Sequence, residues 1–184
     1  MKEYKSCTEF LLDLLWTIKT AEYNFHQMHR NCWGLINKNF HERMQELYEL
    51  MQNTEDIVAE RAAQLWEVIP QKLCDVINRS CLEFIWEVPE IQEWIKLSSD
   101  VLYILAEFIK RWIACAIEMK DYHTEDILRT FCWEIETHKW KLDRWLSKAN
   151  TLARNNNKDE KQQPNSESDK DDKKERDWMS MHMK

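Results

Sequence analysis

Two histidines and two carboxylates in the first third of the chain are residue types that can hold a metal ion. His29 and His41 stand either side of Gly34, the single glycine of the 184 residues. Asp56 and Glu60 follow at i, i+4 spacing, which puts both carboxylates on one face of a helix. Two imidazole nitrogens with two anionic oxygens suit Fe(II). Helix geometry then sets a condition. At ~1.5 Å rise per residue, Asp56 lies roughly 22 Å beyond His41, whereas a metal reaches only about 2 Å to each ligand. Either the two pairs are unrelated, or a second copy of the helix runs antiparallel beside the first. A two-fold axis between the copies would set the histidines of one chain against the carboxylates of the other. The usual single-chain di-iron bundle needs a Glu-x-x-His motif. The sequence has none, since Glu22/His26 and Glu134/His138 are spaced by four.

The elements that must position these residues are helices. One Gly and three Pro leave little material for tight turns or phosphate-cradling loops. Long runs of Leu, Ile, Glu, Lys, Trp and Ala point to an all-α chain. Ser6-x-x-Glu9 is a capping box, and Phe10, Leu11, Leu14, Leu15 and Ile18 recur at helical spacing, so a first helix runs to about His29. Gly34 supplies the turn, and Asn37 or Asn39 caps a second helix over about Phe40–Trp66. So short a link makes the two helices antiparallel neighbours, which lets the imidazoles of His29 and His41 approach each other. A long connection follows, with a short helix within residues 71–88. A third helix, opened by Pro89, runs to about Lys120, with Ser98-Ser99-Asp100 as a point of interruption. Thr124 caps a fourth, from about Glu125 to Leu152. Four long helices with a long second connection describe a ferritin-like four-helix bundle over residues 1–153. From Arg154 to residue 184 the composition turns polar and densely charged, which reads as a disordered tail ending in a Met-rich segment.

Several function classes are excluded. No apolar run is long enough to span a membrane, and the N-terminal segment carries acids and no small-residue cleavage site, unlike a secretory signal. The six cysteines form no C-x-x-C pair, which fits free thiols in the cytoplasm. A net charge of −7 and a charge-balanced tail argue against DNA binding through bulk electrostatics. The ten tryptophans and eight methionines read as core and interface filler.

The stretch from His29 to Leu65 resembles the Dps family of miniferritins, the DNA-binding proteins from starved cells. The family pattern is a histidine, a glycine five residues on, a second histidine after twelve, and then D-x-x-A-E-R. Here these are His29, Gly34, His41 and "DIVAERAAQL", Asp56–Leu65, without a gap, and "DYHTEDIL", Asp121–Leu128, is similar to the junction of the last two helices. The resemblance implies a cytoplasmic shell of twelve subunits built from two-fold dimers. It implies a di-iron ferroxidase centre shared between chains, with His29, His41, Asp56 and Glu60 as ligands, and storage of ferric iron inside. Two positions depart from the pattern. Gln45 stands where members usually carry an acid; its amide oxygen can ligate but brings no charge, so iron should bind more weakly. Arg30 stands where many members have Trp, leaving Trp33 or Trp66 as substitutes. Members that bind DNA do so with a lysine-rich arm, which this chain lacks. The alternative readings are a non-catalytic or DNA-compacting shell protein with a weakened metal site.

Overall fold

The structure is a computed structural model and describes residues 7–32, 38–65, 68–69, 72, 74, 78–86 and 90–160. Four helices carry it: α1 (Cys7–Asn31), α2 (Lys38–Gln64), α3 (Ile91–Glu118) and α4 (Tyr122–Glu160). There is no strand among the described residues. The bundle is the compact unit that ends at Leu146; α4 residues from Ser147 onward belong to a second unit.

Each helix forms because its apolar side chains repeat every three to four residues and find a common interior. On α1 the buried set is Phe10, Leu11, Leu14, Leu15, Ile18, Ala21, Phe25 and Met28. On α2 it is Phe40, Met44, Leu47, Met51, Val58 and Ala62. Leu102, Leu105 and Ile109 of α3 with Leu128, Phe131, Ile135 and Leu142 of α4 complete one continuous core. Among the described residues no helix is long and apolar enough to cross a membrane.

Buried polar groups fasten the long α2–α3 connection to α1. Asn24 is fully buried; its amide donates to the Glu83 carbonyl at 2.8 Å and accepts from the Ile85 N–H at 3.0 Å. Arg79 donates to the buried Asp13 carboxylate at 2.6 Å, and the Cys81 N–H to the Thr17 hydroxyl at 3.2 Å. Satisfying these groups is what lets an irregular segment lie against a core.

Helix boundaries differ in detail from the sequence expectation. Ser98-Ser99-Asp100 does not interrupt α3, because the Ser98 hydroxyl donates to the Trp94 carbonyl and that of Ser99 to Asp143 of α4. The cap of α4 is Asp121, whose carboxylate accepts the Thr124 N–H at 3.1 Å; the Thr124 hydroxyl donates back to it at 2.6 Å. Before it, Lys120 takes φ 57°, and the N–H groups of Lys120 and Asp121 donate to the carbonyls of Ile117 and Ala116. This is the left-handed helix stop that glycine usually makes. α4 continues past Leu152 to Glu160. Ser6, Gly34, Asn37, Pro89, residues 71, 73, 75–77, 87 and 88 of the expected short helix, and residues 161–184 of the expected tail lie outside the described residues; within that expected helix Cys74, Asn78 and Arg79 are helical, whereas residues 80–86 are not.

The end of α2 is pinned at the same junction. Arg61 donates to Asp121 at 2.7 Å and to the Thr124 hydroxyl at 2.9 Å, with both charged side chains largely buried. Burial works against the Asp121 carboxylate, but hydrogen bonds from Thr124 and Arg61 outweigh it and hold its pKa below the ordinary value. The unfolded chain therefore takes up more protons in acid. The stabilisation is complete above the ordinary carboxylate range and is lost as pH falls through the folded pKa of Asp121. Arg61→Met is expected to lower unfolding free energy by about 2–3 kcal/mol in urea denaturation, and Asp121→Asn to remove part of the acid sensitivity. Unchanged midpoints in both variants would mean that the bridge carries no weight.

Candidate metal centre

The antiparallel pairing of α1 and α2 brings the last turn of one beside the first turn of the other. The rings of His29 and His41 stack there with centroids 3.8 Å apart and planes 27° apart. His29 Nδ1 lies 3.1 Å from the His41 carbonyl oxygen, and His41 Nδ1 lies 3.0 Å from that of His29. A carbonyl oxygen can only accept, so both Nδ1 atoms carry hydrogen, and in the neutral form of either ring the lone pair then lies on Nε2. This is the outer support that metal-binding histidines use to fix tautomer and ring orientation. The pair therefore fits a metal on the chemistry of its nitrogens.

Beside them lies a polar edge shared by the two helices. The His26 ring stacks on Tyr48 at 4.5 Å, and Tyr48 meets His29 edge-on at 5.3 Å. His26 lies 3.6 Å from the buried Glu22 carboxylate, which accepts from the Gln52 amide at 3.1 Å. Lys19 bonds Glu55 at 2.9 Å and approaches Glu22 at 3.5 Å. Burial, with the charge of Arg30, pushes the His26 pKa down despite Glu22, so its ring is neutral at pH 7.

The carboxylate pair is elsewhere. Asp56 and Glu60 sit exposed toward the far end of α2, on the same face as His41 and Gln45. Gln45 is exposed and its amide nitrogen donates to Glu49 at 2.8 Å. Among the described residues, no group of three or more His, Cys, Asp or Glu converges to hold a metal. One chain thus joins His29 to His41 and leaves Asp56 and Glu60 apart from them. A groove of about 750 Å³ between α2 and α4, lined by Glu46, Glu49, Asp126, Glu134 and His138 among others, contains none of these five residues. Trp33 and Trp66 lie outside the described residues.

Sequence reasoning missed Tyr48, Glu22 and Gln52 as neighbours of the histidines. Tyr48 carried one signal, its position two helical turns after His41 on the same face. Glu22 carried another, its i, i+4 spacing to His26, whereas Gln52 reaches it from the other helix and carried none.

The chain matches the Ferritin family, described as a Ferritin-like domain, over residues 11–152. No curated protein matches it. Among solved structures it is similar to Dps from Listeria innocua soaked with cobalt. That likeness has 23% identity and a TM-score of 0.75, over 80% of this chain and 97% of that one. Dps from Listeria monocytogenes is 22% identical with a TM-score of 0.74, over 79% and 96%. Antigen TpF1 from Treponema pallidum is 21% identical with a TM-score of 0.72, over 76% and 90%. At these identities the likeness establishes a shared fold. The reciprocal bonds of the two histidines have a direct spectroscopic consequence. Imidazole nitrogen chemical shifts of the metal-free protein should report the Nδ1–H tautomer for both His29 and His41; an Nε2–H signal from either would break the arrangement.

Proposed function

The chain belongs to the ferritin family, and from that premise we propose that it is a miniferritin of the Dps kind. It binds Fe(II) at sites shared between two chains, oxidises it, and stores the ferric product inside a hollow shell of twelve subunits. The observation that carries this reading is the His29–His41 pair, whose Nδ1 atoms both face a backbone carbonyl, an arrangement in which the neutral rings would offer Nε2 to a metal. Asp56 and Glu60 stand too far along α2 to join them in one chain, and a two-fold neighbour would supply them.

Iron is the substrate here. The imidazoles of His29 and His41 supply neutral nitrogen, and Asp56 and Glu60 supply anionic oxygen, with Glu60 bridging to a second iron. Anionic oxygen favours the harder Fe(III) product, which lowers the barrier to oxidation. With hydrogen peroxide as oxidant, two Fe(II), one peroxide and two protons give two Fe(III) and two waters. Removing both reagents protects DNA without contact, which suits a chain with net charge −7. Gln45, whose amide faces Glu49 and adds no charge, favours a weakened site as the second reading.

Gln45→Glu is expected to tighten Fe(II) binding roughly tenfold, the effect of one added charge near the ion; titrations matching the parent would place residue 45 outside the site. Sharing between chains has its own test. His41→Ala and Asp56→Ala should each abolish most iron oxidation as pure assemblies. Co-expressed, random pairing makes half the dimers mixed, and each mixed dimer holds one complete site of two. About a quarter of parental activity should return if sites act independently. With co-assembly verified by two affinity tags, activity at the level of the pure variants would exclude a shared site.

A further inference from the structure

His26 and Glu22 take no part in the candidate centre, yet they stand as two metal ligands stand. Nδ1 of His26 lies 3.6 Å from Oε1 of Glu22, beyond hydrogen-bond reach. A divalent cation about 2.1 Å from each atom would span that gap at an angle of roughly 120°. Both donors are held in place. The His26 ring stacks on Tyr48 with planes 25° apart, and the same Glu22 oxygen accepts from the Gln52 amide. Lys19 approaches the other Glu22 oxygen at 3.5 Å but keeps Glu55 as its nearer partner, at 2.9 Å. Two donors are too few to hold an ion in one chain, and no third His, Cys, Asp or Glu joins them among the described residues.

The two-fold pairing supplies the rest. Setting His41 of each chain level with Asp56 and Glu60 of the other puts the axis midway along that stretch of α2, between Glu49 and Leu50. The contacts Lys19–Glu55, Glu22–Gln52 and His26–Tyr48 fix which α1 position lies opposite. On α1 the axis therefore passes between Glu22 and His26, roughly 3 Å from the level of either at ~1.5 Å rise per residue. Helices bridged to their copies at both ends stay close between the bridges, because a helix curves only gently. The pair in one chain thus faces the same pair in its neighbour, and the axis carries two imidazoles and two carboxylates.

We propose that Glu22 and His26 of two neighbouring chains hold one divalent cation of the zinc class on the two-fold axis; the inference rests on the shared-centre reading above. Four nitrogen and oxygen donors suit tetrahedral zinc, and filling all four positions makes the site structural, with no place left for a substrate. Zinc has no redox chemistry, so the ion joins the chains without reacting with an oxidant. Because the complete site exists only in the paired state, the ion stabilises the dimer by mass action. Its number sets it apart from the iron centres, which occur twice in each dimer where the axial ion occurs once.

The experiment dialyses the metal-free protein against zinc and counts the bound ion per chain in the parent, in Glu22→Gln and in His26→Gln, with the assembly of each checked by native mass. Each variant should bind about one half zinc per chain less than the parent, since one ion serves two chains. If Glu22→Gln does not assemble, His26→Gln, altered at a partly exposed ring, decides alone. An unchanged count overturns the inference, and so does the loss of a whole zinc per chain, which marks a site within one chain. Recovery of iron oxidation in the mixed His41→Ala and Asp56→Ala assemblies, alongside an unchanged zinc count, overturns the axial site only. A half-zinc loss in a protein that oxidises no iron supports the axial site and removes the iron-oxidising function.

Discussion

Everything at the candidate centre follows from the register of α1 against α2. As position rises by seven along α1, from Lys19 to His26, the contacting position on α2 falls by seven, from Glu55 to Tyr48. The apolar seam of Phe25, Met28, Met44, Leu47 and Met51 holds that register, because sliding it by a turn would unpack fully buried side chains. The polar edge reads the register out as Lys19–Glu55, Glu22–Gln52 and His26–Tyr48. At its end, His29 and His41 come level and each imidazole reaches the other's backbone. A core of ordinary hydrophobes thereby fixes the tautomers of two histidines it does not touch chemically.

How far the sequence revealed this depends on whether the deciding interaction was local. Helical periodicity is local, so the four helices and their antiparallel first pair were legible from Phe10, Leu14, Met44 and Leu47. Boundaries were less so. Thr124 and Asp121 are both fit to cap α4, and only the carboxylate's reach to the Thr124 N–H decides between them. Ser98 and Ser99 look like a break until Trp94 and Asp143 accept their hydroxyls. The helical turns of α4 past Leu152 were hidden by a composition rich in charge and asparagine.

The separation of His41 from Asp56 was legible, because spacing along one helix converts to distance before any coordinates. Tyr48 was not, since an aromatic residue at helical spacing is indistinguishable from core filler. Asn24 and Arg79 were also invisible, because each bonds across some sixty residues, between α1 and the connection that follows α2. Arg61 belongs with them. It stands one residue after Glu60 and grips the α3–α4 junction, so the carboxylate end of α2 is anchored by a contact that sequence spacing does not announce.

The separation of the two histidines from the two carboxylates carries a consequence in mass action. Among the described residues, one chain presents two pairs and no quartet. Any chemistry needing all four side chains at one ion therefore begins with an encounter between chains, and at high dilution its amount falls with the square of the free protomer concentration. On the shared-site function proposed above, a newly made, solitary chain would be inert toward iron, and reactivity would begin only with assembly. The length of helix between His41 and Asp56 would then serve as an assembly clock.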